Sequence, residues 1–520
     1  MIYCVVIERN SDHMMITVFE GTTKYELPFS EGQTILSVLQ QAGIKSITAP
    51  CGGKGTCRKC TVYVHSDDFE GSCLSCTTLA KDRMVVEIVP EVRFSYADQS
   101  DGDIYPPTPG QDGYAMACDI GTATVICQLI DLKTGELLSR ISGSNSQRIF
   151  GSDVLSRLTA AEEGHSEELH GLILQQINYY IGQLCREAGI KKEDIRLLTA
   201  CGNTIMLHFL AGLDPAKISI APFTPVSLFG EMMEGRDIGL DFEGKVYLCP
   251  AVSGFIGADV LCGILTCGIQ KSDGKAMMID LGSNTELVLG NKDDMTACAV
   301  DGGAAFKASL LEHGMTASEG AIAGVKYADG ELLLEVLGAV KPKGICGSGF
   351  IDMLGILLEE EILDEMGHIA EPDEVDSPLS RYIGEEDGRP VFYLTEDKTV
   401  FISQADISKF QLAKAAIYAG TQILAEENGL TLSKISRLFL GGGFGSFAHR
   451  RNSALLGLIP QECKGKTVKL GNVALAGAVS AAVSEEARSE LARIRQLIRV
   501  IDLPTHPSFS DAYTEGMFFE

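Results

Sequence analysis

The alternation of hydrophobic and polar positions changes rhythm along the chain. Short apolar runs at residues 3–7 and 15–19 read as strands, and the spacing over 34–42 is helical. Apolar runs return at 61–64 and 84–89, after a loop rich in glycine and cysteine. Two strands, a helix, a loop and two more strands predict a β-grasp domain. The apolar pattern then lapses: residues 90–113 are dominated by Asp, Gly, Pro, Ser and Gln, including Pro106-Pro-Thr-Pro-Gly110, which predicts an extended, flexible linker. Beyond it, strand–turn–strand signals mix with helical stretches at 153–188, 351–366 and 405–428, the signature of an α/β domain. Within that domain Met116-Ala-Cys-Asp-Ile-Gly-Thr122 is echoed by Met278-Ile-Asp-Leu-Gly-Ser-Asn284, so two related lobes are expected. The divisions implied are 1–90, the linker 91–113, lobe I at 114–270, lobe II at 271–498 with a return to the lobe interface, and a tail at 499–520.

Composition narrows this picture. A chain of 520 residues is too long for one core. A net charge of −27 argues against nucleic acid and anionic membrane as partners, since both call for a basic surface. The apolar stretch 246–265 contains Pro250, Gly254, Gly257 and Asp259, which fits a buried strand, turn and helix better than a membrane span. No basic segment or small-residue cleavage site marks the N-terminus, and the expected location is cytoplasmic. Cys118, Cys127, Cys201, Cys262, Cys298 and Cys346 fall in apolar segments and read as buried, reduced thiols.

Other cysteines carry chemistry. Cys51-Gly-Gly-Lys-Gly-Thr-Cys57-Arg-Lys-Cys60 places three thiols on one loop, with glycines that allow the backbone to curl around a common centre. Cys76 follows in Leu74-Ser-Cys-Thr-Thr78. This spacing resembles the 2Fe–2S ferredoxins, whose fourth ligand comes from a later segment, and Cys76 is preferred there over Cys73. The alternative is zinc held by the pairs Cys57-x-x-Cys60 and Cys73-x-x-Cys76, which leaves Cys51 and the glycine loop unexplained.

The repeated segments read as a nucleotide site. Asp119, Gly121 and Thr122 lie at the tip of one hairpin, and Asp280, Gly282, Ser283 and Asn284 at the tip of another. Small residues there free backbone N–H groups for phosphate, and each aspartate is placed to hold Mg²⁺ directly or through water. A third element, Gly441-Gly-Gly443-Phe444-Gly445, follows a short strand and lets adenosine and phosphates lie against backbone. Gly471-Asn-Val-Ala-Leu-Ala-Gly477-Ala478 reads as a small-residue helix suited to close packing between lobes. Asp259 is a candidate to orient water or Mg²⁺, with helix capping as its structural alternative. Asn203 and Thr204 are candidates to face the same cleft, or else turn residues. In this order the elements resemble the two-lobed, ribonuclease H-like ATPase fold of actin, sugar kinases and heat-shock ATPases.

The two halves together resemble the reductive activators of corrinoid proteins. The segments carrying the match include Asn145-Ser-Gln-Arg-Ile-Phe-Gly151, the run from Gly202-Asn-Thr204 to Asp214-Pro215, Gly344-Ile-Cys-Gly-Ser-Gly-Phe-Ile-Asp352, Gln411-Leu-Ala-Lys-Ala-Ala416 and Pro507-Ser-Phe-Ser-Asp-Ala-Tyr-Thr-Glu-Gly-Met517. The resemblance implies ATP-dependent reduction of a cobalamin protein from Co(II) to Co(I). It also implies a 2Fe–2S cluster, ATP, Mg²⁺, a corrinoid protein partner, a low-potential electron donor and compatibility with a homodimer. The spacer from Cys60 to Cys76 is short for the family, and the small domain that some relatives carry before the ATPase part is missing. Competing readings are an activator of another low-potential enzyme, a metabolite kinase using Asp259 as base, and a zinc-binding module without catalysis.

Overall fold

The computed structural model describes residues 4–5, 14–20, 23–44, 47, 53, 60–66, 69–88, 102, 104–282, 284–301, 311–315, 317–442 and 450–519. The chain divides into two compact units, residues 1–93 with 146–160, and residues 94–145 with 161–520.

In the first unit, strands β1 (Cys4–Val5), β2 (Met14–Glu20), β3 (Thr23–Phe29), β4 (Thr61–Ser66), β5 (Phe69–Leu74) and β6 (Val85–Ile88) form one mixed sheet in the order β1-β3-β2-β6-β4-β5. The helix Ile35–Gln41 begins where the Thr34 hydroxyl accepts from Ser37 N, an N-cap that satisfies an otherwise orphaned donor. Its apolar side chains Ile35, Leu36, Val38 and Leu39 share one core with Ile16, Val18, Leu27, Val62, Val64 and Val86. A helix packed on a mixed sheet is the β-grasp arrangement. Strands β3 and β5 are additions to the expected pattern. Pro28 in one and Gly71 in the other interrupt the run of strand-forming residues, while cross-strand pairing with β2 and β4 supplies the missing preference.

The second unit contains two sheets of related topology. The first orders β7 (Tyr114–Ile120), β8 (Thr124–Asp131), β9 (Leu137–Ser144), β10 (Ile195–Gly202), β11 (Met232–Glu234) and β12 (Lys245–Leu248) as β11-β12-β10-β7-β8-β9. In the second, β13 (Ala276–Leu281), β14 (Asn284–Gly290) and β15 (Met295–Asp301) form the antiparallel half. Two small sheets intervene, formed by β16 (Ala321–Ala328), β17 (Glu331–Val336) and β18 (Gly344–Ile345), and by β19 (Ile383–Glu386), β20 (Arg389–Tyr393) and β21 (Phe401–Ser403). Then β22 (Arg437–Gly441), β23 (Thr467–Gly471) and β24 (Ile498–Val500) complete the order β23-β22-β13-β14-β15-β24. In each lobe three antiparallel strands are followed by two that run parallel to the first of them, which is the repeat anticipated from the paired Asp-x-Gly segments.

Helices Ala258–Cys267 and Val473–Val483 join the lobes. The second is buried along its whole length. It packs on β7, β10 and the first helix, with Ala478 O accepting from Thr199 Oγ1 at 2.9 Å and Val473 O from Thr266 Oγ1 at 2.8 Å. A Cβ on Gly477 would fall on Cys262, so the two helices meet backbone to backbone. The stretch 246–265 is strand, turn and helix, and no described helix is long and apolar enough to cross a membrane. Cys118, Cys127, Cys201, Cys262, Cys298 and Cys346 are buried free thiols.

Two expectations change. The helical stretch at 153–188 is divided into Val154–Ala160 and Ser166–Ala188, because Gly164 takes φ +98 between them. The expected linker 91–113 is anchored through its second half. Tyr105 is buried, its N–H donates to Ser480 Oγ at 3.1 Å, and Thr108 bonds Val483 O and Glu485 N at 2.9 Å each. Lys271 Nζ covers the Tyr105 ring at 4.1 Å.

Candidate functional site

The first hairpin turns at Gly121, where any Cβ would stand 2.7 Å from Thr124 O. Asn145, buried, braces this turn by donating from Nδ2 to Gly121 O at 2.8 Å. Asp119, one residue before the end of β7, lies beside Cys201 of β10 and accepts from Asn472 Nδ2 at 2.8 Å. Asn472 uses its other end as the N-cap of Val473–Val483, with Oδ1 accepting from Leu475 N at 2.8 Å. Thr122 is buried and its Oγ1 accepts from Asn203 Nδ2 at 3.1 Å, while Asn203 Oδ1 caps Thr204–Leu210 through Met206 N. Thr204 is buried too, and its hydroxyl donates to Ser253 O at 2.6 Å. Asn203 thus ties hairpin to helix, and Thr204 braces the wall behind.

The second hairpin turns at Gly282, where a Cβ would lie 2.9 Å from Asn284 O. Asp280 sits beside Gly441 of β22 and opposite Glu286 of β14. Gly442, at φ +84, approaches so closely that a Cβ there would fall on Asp280 Oδ1 and Leu281 O. Only glycine fits, which brings the start of the third element against the second hairpin. Ser283, Gly443, Phe444 and Gly445 lie outside the described residues.

Asp259 opens the helix Ala258–Cys267, with Oδ1 accepting from Val260 N at 2.9 Å. A Cβ on Gly257 would meet both Asn203 Cα and Asp259 Oδ1 at 2.6 Å. The structure therefore brings Asp119, Asp259 and Asp280 within electrostatic reach of one another, together with Glu286, which sequence reasoning missed. Burial is the main cause that lifts their carboxyls: Asp119 to about 6, Asp259 to about 7 with help from Asp280, and Asp280 to about 7 with help from Asp119. Burial, then the charges of Asp259 and Asp280, push Glu286 well above its ordinary range. Among the described residues no three His, Cys, Asp or Glu side chains converge closely enough to hold a metal by themselves. The donor set suits a cation that arrives with its own oxygen ligands on a nucleotide, with phosphates on the glycine turns.

In the first unit Cys60 and Cys76 are buried in the same core, and Cys60 O accepts from Ser75 N at 2.9 Å. A Cβ on Gly53, in the cysteine loop, would lie 3.9 Å from Cys76 Cβ. Ser75 Oγ between them is buried without a partner among the described residues, which suits a neighbouring sulfur acceptor. Cys73 is instead in β5 opposite Val62 and partly exposed. Cys51 and Cys57 lie outside the described residues.

Three family models match the chain: the 2Fe-2S iron-sulfur cluster binding domain over residues 18–81, the RACo middle region over 114–272, and the C-terminal ASKHA domain of RACo over 274–520. The chain is 33% identical over 420 residues to the corrinoid activation enzyme RamQ of Eubacterium limosum, covering 78% of this chain and 70% of that protein. It is 23% identical over 449 residues to the Co(II) methylated amine-specific corrinoid protein reductase of Methanosarcina barkeri, covering 78% of each. Among solved structures, a reductive activator for corrinoid, iron-sulfur protein aligns with a TM-score of 0.70 and 28% identity, over 97% of this chain and 98% of that one.

Proposed function

The chain belongs to the family of corrinoid-activating enzymes, and from that premise we propose that it uses ATP to drive one-electron reduction of a corrinoid methyltransfer protein. The cobalt of that substrate passes from Co(II) to the methyl-accepting Co(I), and the electron comes from the N-terminal unit, refilled by a low-potential donor. The observation that carries this reading is the joining, in one chain, of a thiol set suited to iron–sulfur and a two-lobed unit that brings Asp119, Asp259 and Asp280 within electrostatic reach of one another. A 2Fe–2S centre bound by Cys51, Cys57, Cys60 and Cys76 would supply a one-electron store near about −400 mV. For a cobalt couple still lower, each ~59 mV of mismatch lowers the yield about tenfold, so transfer needs a coupled source of free energy.

The residues of the cleft supply that coupling. Gly121 and Gly282 open the hairpin tips to phosphate, Asp119 and Asp280 would hold the nucleotide's Mg²⁺ directly or through water, and Asp259 would orient the attacking water. The strip Gly441–Gly445 leaves room for adenosine and phosphate. Lobe closure on MgATP favours the protein state that binds the corrinoid partner in its reducible form, and hydrolysis resets the cycle. The test is the absorbance of a cognate corrinoid protein mixed with dithionite-reduced enzyme. The Co(I) spectrum is expected with ATP, and equal yield without nucleotide would overturn the coupling. Cys57→Ser is expected to abolish reduction while leaving nucleotide binding intact. Light scattering with and without ATP tests a homodimer.

A further inference from the structure

The repeated hairpins differ at one position. In lobe I the residue paired across the ladder with Asp119 is Ile126, and in lobe II the residue paired with Asp280 is Glu286. Directly paired residues of antiparallel strands project from the same face, so Glu286 stands beside Asp280. It is 6% exposed, and among the described residues the donor its carboxyl meets is its own backbone N–H. An ionisable group so placed costs stability, and cations or waters are the ligands that relieve the cost. Its charged neighbours are Asp280 and Asp259, both of its own sign. Lobe I carries no counterpart, so the carboxylate is not a requirement of the hairpin.

We propose that Glu286 is a positioning residue of the nucleotide site, accepting hydrogen bonds from the hydration water of the divalent cation that accompanies ATP. The inference rests on the MgATP reading of the cleft. It assigns lobe II the task of fixing the cation's water shell, with Asp280 between Glu286 and the nucleotide. Such outer partners tune metal affinity strongly: their loss typically weakens binding about 10- to 100-fold.

The signs of two effects separate this role from packing. Glu286→Gln replaces a buried carboxylate that only its own N–H supports with a neutral amide of nearly the same shape, so the cation-free protein keeps or raises its Tm. The same change is expected to weaken Mn²⁺ binding about 10- to 100-fold in the presence of ADP, read as free Mn²⁺ by electron paramagnetic resonance. Glu286→Asp should recover part of that affinity. Unchanged Mn²⁺ affinity in Glu286→Gln would overturn the proposal. So would a lowered Tm accompanied by equal loss of ADP binding with and without cation, because that marks a packing role. If the unaltered protein binds ADP without any dependence on cation, the MgATP reading itself fails, an outcome distinct from equal dependence in protein and variant.

Discussion

Asp119 and Asp280 occupy the same corner of the same repeated hairpin, yet their surroundings are opposite. Asp119 accepts from Asn472 and sits against Cys201, so its orientation is set before any ligand arrives. Asp280 has no hydrogen-bond donor to its carboxylate among the described residues, and its charge in turn raises the carboxyls of Asp259 and Glu286. A duplicated element has therefore been divided into a fixed half and an unsatisfied half. The fixed half is held in place; the unsatisfied half carries a demand for positive charge, which a nucleotide-borne cation would meet under the function proposed above.

The comparison breaks most sharply on the aspartates themselves. Asp280→Asn and Asp119→Asn are each expected to lower kcat/KM for ATP hydrolysis on the order of a hundredfold or more, from several kcal/mol of lost cation interaction. Their effects on the ligand-free protein differ: calorimetry should give a raised Tm for Asp280→Asn and none for Asp119→Asn, whose bond to Asn472 is weakened. Equal gains would dissolve the distinction between the hairpins. Next in size, Ile126→Glu plants an unpaired carboxylate where only 2% of the side chain is exposed, at a cost of about 3–5 kcal/mol and a Tm drop of roughly 10 °C. A tolerated Ile126→Glu means the lobes are more alike than their neighbours imply.

A pH series sharpens the same contrast with smaller shifts. Raised carboxyl pKa values mean that the native state binds more protons than the unfolded chain, so stability falls as pH rises. The loss should accumulate from about 4 until pH passes the values near 6 and 7 held by Asp119, Asp259 and Asp280. Ligand-free protein is thus expected to melt lower at pH 8 than at pH 5.5, and saturating MgADP should flatten the difference. A slope of the opposite sign would remove the electrostatic account. Smallest is Asn472→Ala, which deletes a helix cap and a bond to Asp119, worth about 1 kcal/mol and read as a Tm loss of about 2–4 °C.

Much of the architecture was legible in the sequence because it is repetitive. The two Asp-x-Gly tips announce two lobes, and the cysteine spacing announces a metal loop before any coordinate exists. Glu286 was invisible for a physical reason. In Asn284-Thr-Glu-Leu-Val-Leu-Gly290 it reads as the polar tooth of an alternating strand, and only the sheet's second buried face reveals that this tooth points inward. Asn472 was readable as a helix start, but its partner lies 353 residues away in sequence. Tyr105 hid in a stretch whose Pro and Gly content predicts free chain, since composition does not register a single aromatic anchor.

The meeting of Gly477 with Cys262 limits how the cleft can work. At that crossing the two helices have no side-chain layer to shear across, because sliding by even a methyl radius would drive one main chain into the other. Rotation about the contact is the motion left, which makes the pair a fulcrum. A small angular change there becomes a displacement that grows with distance, so the far rims of the lobes, not the corner that holds the aspartates, travel most. A partner reading the nucleotide state would gain the clearest signal by gripping those rims.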